Sequence, residues 1–373
     1  DYRADNGWKV YNDYLIGYNF TTGDSDPIPT MPDNEIWFYT PTEVSVTIPD
    51  GYTVTWNSNT GKGIVSTTRA ITYISQMFND CSTITRVELP KTTKSVTGFA
   101  NCTALKSITI PEGTETIGGF SGSGLESIVI PNSVTTIGAR AFYGCTNLKS
   151  VTLPENDNFT AIRYETFYNC TSFVECVVPG SVTLMEEEVF KNCTSLTNLV
   201  LPEGLVTVKN GVFANCAFES LNLPSTLQSI PYECCLNCKN LKHITITEGI
   251  TYLPSSAFEG CSSLESVTIP DAVTSIGYYA FDSCSSLTSV TIPDSVTKIG
   301  DSAFYNCDKL AEFNGKFAST DKRCLVVDGV LNSFASAGLT EYAIPSGVTK
   351  IDNNAFSGCS SLTSVTIPNS VTS

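Results

Sequence analysis

From about residue 71 the chain resembles itself every 23 residues, and no other feature constrains its fold as much. One copy runs from Val273 through Ile276-Gly277, Ala280-Phe281, Cys284, Leu287 and Val290 to Ile292-Pro293. The next begins again with Val296, Ile299-Gly300, Ala303-Phe304, Cys307 and Leu310. Aligned copies end at Pro90, Pro111, Pro131, Pro154, Pro179, Pro202, Pro224, Thr247, Pro270, Pro293, Pro345 and Pro368, which makes twelve rungs. A unit this short cannot bury its own apolar face, so the units must stack. A stack grows by addition, so 373 residues need not mean several ordinary domains.

Each rung ends in a Ser-Val-Thr-Ile-Pro type strand with alternating faces. Val87 and Leu89, Ile128 and Ile130, Leu199 and Leu201, and Val365 and Ile367 are predicted to point inward. The residues between them point out, and proline closes the strand where its missing N–H matters least. The Val-Thr-x-Ile-Gly segment offers a second, shorter extended piece. The Ala-Phe-x-x-Cys segment is too short for a full helix and is expected to form a helical or 3₁₀ turn. Rungs stacked as a parallel sheet, with about 4.8 Å between strands, would form a curved rod roughly 55 Å long. The main core column is Phe78, Phe99, Phe120, Phe142, Phe167, Phe190, Phe213, Phe258, Phe281, Phe304 and Phe356. Cys235 stands where one Phe is expected. Rungs near Gly98 and Gly118 are shortened by two or three residues, and weaker packing is expected there.

The pattern Ile-Gly-x-x-Ala-Phe-x-x-Cys-x-x-Leu-x-x-Val-x-Ile-Pro resembles the BspA-type (Treponema-type) leucine-rich repeat of gut and oral bacteria. The resemblance covers about 300 residues. It implies a leucine-rich-repeat solenoid over residues 66–373, mainly parallel strands with short turns. An insertion at about 311–342 contains Asp321-Lys-Arg-Cys324-Leu-Val-Val-Asp328-Gly329, which resembles a segment of such proteins and should close a hairpin near Asp328-Gly329. Residues 1–65 do not repeat and are expected to form a β-rich cap over the first edge, with strands at Glu35–Tyr39 and Val44–Ile48 and partial mobility over 1–33.

Cysteine first suggests metal or disulfide chemistry. Eleven of the fifteen occupy one repeat position: Cys81, Cys102, Cys145, Cys170, Cys193, Cys216, Cys238, Cys261, Cys284, Cys307 and Cys359. In the family such a column is a buried structural ladder. Free cysteine behaves as a small apolar residue, parallel side chains on adjacent rungs are poorly oriented for bonding, and the total is odd. Reduced, buried thiols are expected. Cys234-Cys235-Leu-Asn-Cys238 has a C-x-x-C spacing, but register places Cys234 in the Ala slot, Cys235 in the Phe slot and Cys238 in the ladder, and no second C-x-x-C completes a zinc site. No metal and no cofactor are expected.

The formal net charge of −16 would repel a phosphate backbone or an anionic membrane, and it suits solubility. No stretch approaches the ~20 apolar residues needed to span a bilayer. No signal peptide is visible at Asp1, and a final repeat that opens and stops at Ser373 suggests a longer natural chain. His243 is the only histidine, and it faces outward beside Ser220 and Ser266 with no orienting acid predicted near it. Gly118-Gly119-Phe-Ser-Gly122-Ser-Gly124 is a shortened rung and not a phosphate loop. No catalytic residues are assigned, and the chain is expected not to be an enzyme.

The outward face is the more informative surface. It is mostly Ser and Thr, as at Ser107 and Thr109, Ser150 and Thr152, and Ser289 and Thr291. Glu175, Val177, Asn198, Val200, Asn222 and His243 break that monotony and form the candidate binding strip; Tyr278 and Tyr279 are exposed aromatics at a turn. Together with the resemblance, this points to a non-catalytic scaffold at the bacterial surface or outside the cell. It would bind a host extracellular-matrix protein, a glycan or another cell-surface protein, and neither nucleic acid nor membrane. The alternatives are a rigid spacer presenting a further domain and, less favoured, a hydrolase.

Overall fold

A computed structural model describes residues 31–373. The expected mobility over 1–33 lies, but for its last three residues, outside the described residues. Three antiparallel strands open the fold: β1 (Glu35–Tyr39), β2 (Tyr52–Trp56) and β3 (Lys62–Thr67), in the order β2-β3-β1. Strand β1 then pairs antiparallel with Arg86–Glu88, the terminal strand of the first rung. Ile36, Phe38 and Val65 bury against the core, so this sheet seals one end of the stack and pairs an otherwise open edge. The strand expected at Val44–Ile48 is not formed. Val44, Val46 and Ile48 do pack on the core, which explains their alternation, but the segment lies beside the first rung's turn and has no strand to ladder with. Its main-chain link to that rung is Thr47 N–H donating to Met77 C=O at 2.9 Å.

Most rungs contribute two strands. The long strand is the Ser-Val-Thr segment. Ser127–Val129, Ser150–Thr152, Glu175–Val177 and Asn198–Val200 form one parallel sheet in strict register, Ser127↔Ser150↔Glu175↔Asn198. The short strand belongs to the Thr-x-Ile segment and pairs likewise, as in Tyr252–Leu253, Ser275–Ile276 and Lys298–Ile299. The inward residues are buried along most of the stack, Leu89, Leu199 and Leu201 are half-buried, and the rule fails at the last rung. There Val365 and Ile367 are exposed because no later strand lies over them.

The expected helical or 3₁₀ turn is also not formed. Two reverse turns take its place, each with a left-handed residue in third position. Ala141 N–H bonds to Gly138 C=O at 3.2 Å around Arg140 (φ 57°), and Cys145 N–H bonds to Phe142 C=O at 3.1 Å around Gly144 (φ 66°). The reason lies between rungs. Arg140, Phe142 and Gly144 donate their N–H groups to the carbonyls of Tyr164, Thr166 and Tyr168 at 2.9, 2.9 and 2.8 Å. A helix would turn those donors back into its own segment and leave the next rung unbonded. The second left-handed site is Asp80, Asn101, Gly122, Gly144, Asn169, Asn192, Asn215, Asn237 or Gly260 in successive rungs, residues that tolerate this conformation. At Gly260 a Cβ would also fall 2.2 Å from the Asn237 side-chain oxygen.

The phenylalanine column forms as expected. Ring centroids from Phe78 to Phe190 are 5.2–5.5 Å apart with planes within 9°. Phe258, Phe281 and Phe304 resume the stack at 5.4 Å. The shortened rungs do not pack weakly, since Phe99 and Phe120 are fully buried and in step. Two missing residues of each come out of the first reverse turn, and the third of the Gly118 rung comes out just after the second, at Ser123-Gly124-Leu125, so none comes out of the core. Cys235 does break the column, and Phe218 packs edge-on against Phe213 at 6.1 Å just before the gap. The ladder cysteines from Cys102 to Cys307 point their thiols at the preceding rung: Cys145 Sγ donates to Phe120 C=O at 2.9 Å, Cys170 to Phe142 and Cys193 to Phe167 at 3.1 Å, whereas Cys81 donates to Ser45 C=O of the cap.

One more rung exists than the prolines mark. Glu312–Gly315 pairs in parallel with Ser289–Ile292, which raises the twelve rungs to thirteen. The hairpin Cys324–Val327/Val330–Phe334 turns at Asp328-Gly329, both at positive φ. Val330 and Leu331 then serve as the short strand beneath Lys350 and Ile351. Both ladders are interrupted before this unit. Lys298–Ile299 ends one sheet and Glu312–Gly315 another. A second, smaller core begins beyond, around Leu331, Phe334, Ile344 and Val348.

Two measurements check this architecture. Phe142→Ala should cost about 3–5 kcal/mol, read as a drop in the urea midpoint; a loss below about 1 kcal/mol would show that the ring column is not the core. Hydrogen exchange should find the Glu341–Ala343/Ser364–Thr366 amides opening well before those of Ser150–Thr152 and Glu175–Val177, because the junction carries no continuous ladder. Uniform protection across both would contradict it.

Candidate functional site

The long-strand sheet presents two outward columns. One reads Ser127, Ser150, Glu175, Asn198 and the other Val129, Thr152, Val177, Val200. All eight positions stand one strand spacing from the next, about 4.8 Å. Alternation alone places them, because Ile128, Val151 and Cys176 take the inward positions between them. Glu175, Val177, Asn198 and Val200 are therefore brought together on one flat face. Asn222 and His243 are exposed too, but they sit on a separate two-stranded sheet, Ser220–Asn222 with His243–Thr245. The break follows a deletion: Cys216-Ala217-Phe218 is one residue shorter than Cys193-Thr194-Ser195-Leu196.

The face is more apolar than the sequence reading made it. Val129, Val177 and Val200 are 67%, 63% and 47% exposed, and Val174, just before the Glu175 strand, is 45% exposed. Val129 was legible, since it replaces the usual Thr of its rung, whereas Val174 lies before the strand, where the pattern assigns no face. Charges frame the strip. Glu126 lies between Lys106 and Lys149, at 3.6 and 3.2 Å, and its carboxyl is held below the ordinary range chiefly by the hydrogen bond and charge of Lys149. Beyond the break, Glu219 pairs with Lys242 at 2.9 Å.

Little here resembles a reaction centre. Ser220 and His243 are cross-strand neighbours. The carboxylate beside Ser220, Glu219, is engaged by Lys242 and does not orient the imidazole. Among the described residues no group of three or more His, Cys, Asp or Glu side chains is arranged to hold a metal. A cleft of about 860 Å³ lies apart from the strip, against the first two rungs, lined by Arg86, Glu88, Lys91, Ser107, Thr109 and Glu112. Arg86 and Glu88 form an ion pair at 2.9 Å within it. Among the described residues, no helix is long and apolar enough to cross a membrane.

A family model for the BspA type leucine rich repeat region matches in six copies, over residues 72–121, 118–239, 206–323 and 331–373. The chain belongs to the BspA-type leucine-rich-repeat family. Among solved structures it is similar to a leucine-rich repeat protein from Bacteroides ovatus ATCC 8483, at 22% identity and a TM-score of 0.54, over 76% of this chain and 94% of that one. A leucine rich cell surface protein from Faecalibacterium prausnitzii A2-165 is similar at 20% identity and a TM-score of 0.45, over 87% and 95% of the two chains. At these identities the likeness to Bacteroides ovatus shows a shared fold. No curated protein matches the chain.

In this BspA-type chain the cysteines are core residues. All fifteen are free thiols, and fourteen are buried. Cys235 hydrogen-bonds to Cys234 and Cys238, filling the ring-sized slot with sulfur contacts. Burial pushes Cys145 up to about 11 and Cys102 and Cys176 up to about 12. The unfolded chain would lose those thiol protons first, near the ordinary value of about 9, so folding binds protons and stability falls as pH rises. In reductant the melting temperature should be level to about pH 8 and fall between about pH 9 and 12. Replacing Cys102, Cys145 and Cys176 by Ala should make that fall shallower; an unchanged pH profile would remove the thiols as its cause.

Proposed function

We propose that this chain is a non-catalytic binding scaffold of a bacterial surface, and that it takes its partner on the long-strand face between Ser127 and Val200. The observation that carries the reading is the exposed valines of one outward column, Val129, Val177 and Val200, in a position where Thr is the commonest residue. Exposed aliphatic side chains cost solubility and add nothing to the core, so three of them in one column of a sheet, interrupted only by Thr152, suit a contact surface. Glu175 and Asn198 beside the valines supply the polar groups that would orient a partner. The partner class that fits is a host extracellular-matrix protein, a surface glycoprotein or a neighbouring cell's surface protein. Adhesion is the activity such contacts would serve.

Membership of the BspA-type family supports a repeat scaffold, and the relative from Faecalibacterium prausnitzii, described as a cell surface protein, has the location proposed here. The test is a binding screen of the chain against immobilised matrix proteins and epithelial surface glycoproteins. Val177→Glu with Val200→Glu should weaken the best interaction at least tenfold, which is about 1.4 kcal/mol, with an unchanged melting temperature. Full binding by a folded double variant would exclude this face.

A further inference from the structure

A second surface stands apart from the valine face, on the turn edge of three successive rungs. Tyr232, Tyr252, Tyr278 and Tyr279 are all exposed there. Their register is set by the backbone. Glu233 N–H bonds to Ser255 C=O and Ser256 N–H to Tyr278 C=O, so Tyr232, Ser255 and Tyr278 form one column, with the two tyrosines two rungs or about 9.6 Å apart. Tyr252 lies in the short strand of the middle rung, beside Ser275 of the next. Its hydroxyl is hydrogen-bonded to Tyr232 and Ser255, and burial first and the Tyr232 bond second raise its pKa. The buried residues Pro231, Pro254 and Gly277 lie between the short strands and the tyrosine column and leave the space around the rings low.

The state of the ring faces distinguishes this group. Tyr143 and Tyr168, elsewhere on the same edge, stack on each other at 5.0 Å with planes 1° apart, and Arg140 lies over Tyr143. Among the described residues, Tyr232, Tyr252, Tyr278 and Tyr279 have neither a ring partner nor a cation over them. The four rings are thus about half exposed with no ring or cation stacked on them, and Tyr252 and Tyr232 are joined through their hydroxyls. Open phenol faces suit ligands that present C–H groups to the π cloud and hydroxyls to the rim.

We propose that this tyrosine platform binds a neutral polysaccharide, its pyranose faces lying on Tyr232 and Tyr278 and its hydroxyls bonding to the Tyr252 and Ser255 side chains. Charge favours the neutral class. The chain carries −16, and Glu233 beside Tyr232 and Asp301, next after Tyr278 in the column, add negative charge at this edge, which disfavours uronates and sulfated glycans. Half-exposed rings on a turn edge also fit an extended chain of sugars better than the enclosed, desolvated anchor that a protein hot spot needs.

The test is native affinity electrophoresis of the whole chain in gels cast with hydroxyethylcellulose, galactomannan, dextran or alginate. At least one of the three neutral polymers should retard the protein, and alginate should not. Tyr232→Ala and Tyr278→Ala should each weaken retardation several-fold, and the double variant at least tenfold. Tyr232→Phe should keep most of it. Tyr73→Ala, at the position equivalent to Tyr252 in the first rung, should change nothing. Melting temperatures confirm that each variant is folded. Absence of retardation in all three neutral gels overturns the proposal. So does retardation by alginate alone, retardation that survives the double alanine variant, or capture of a protein through these tyrosines without any polysaccharide binding.

Discussion

Main-chain hydrogen bonding from one rung to the next is the interaction on which this structure depends. A rung of about 23 residues has too little interior to stand alone, so its polar backbone groups must be met by its neighbours. The two strands of each rung satisfy that requirement in the usual parallel manner. The turn satisfies it in an unusual one, with Arg140, Phe142 and Gly144 bonding forward to Tyr164, Thr166 and Tyr168. Once the turn is committed to its neighbour, the rest follows. The Phe142 and Phe167 rings must lie parallel, the Cys170 thiol falls on the Phe142 carbonyl, and residues with positive φ must recur at fixed places.

The same dependence explains what could be read from the amino-acid sequence. Inward and outward sides follow from period-two alternation, so the core columns and the outward placing of Glu175, Val177, Asn198 and Val200 were legible. The turn was not, because Ala141-Phe142-Tyr143 has a local composition that suits a short helix, and only the pairing between rungs rules it out. Val44–Ile48 alternates like a strand because one side of it touches the core, and alternation does not report whether a partner strand exists. Glu312–Gly315 was not legible because Lys316 stands where other rungs carry the closing proline and Gly315 replaces the inward aliphatic residue before it. The parting of Asn222 and His243 from the other four residues came from a single deletion after Cys216, whose effect on pairing is not local.

Repetition also divides labour across the surface. A position that faces inward is held to Phe, Cys, Leu or Ile by packing, and a position at positive φ is held to Asn, Gly or a few tolerant residues. Outward positions carry neither restraint. The valines of the long-strand face and Tyr232, Tyr252 and Tyr278 of the turn edge therefore mark places where the scaffold leaves residue choice open, whereas Tyr279 sits at φ 56°, and both groups lie on backbone that their neighbours bond to. Two unlike contact surfaces can coexist on such a stack without competing for the core.

The forward bonds of the turn have an electrical consequence. The peptide joining Ala141 to Phe142 accepts from Phe120 N–H and donates to Thr166 C=O, and the next peptide in that column donates to Val189 C=O. Parallel columns run through Arg140, Glu165 and Glu188 and through Gly144, Asn169 and Asn192. These are head-to-tail series of peptide dipoles, each of about 3.5 D, as in an α-helix, whereas sheet dipoles largely cancel. One edge of the solenoid is thus polarised along its length. Its negative pole lies at the first rung, where Thr47 N–H meets the Met77 carbonyl, and its positive pole lies toward Ser302, Phe304 and Asn306, where the columns stop. A molecule with a large uniform negative charge thereby acquires a direction, and a charged surface approaching it would meet two different ends.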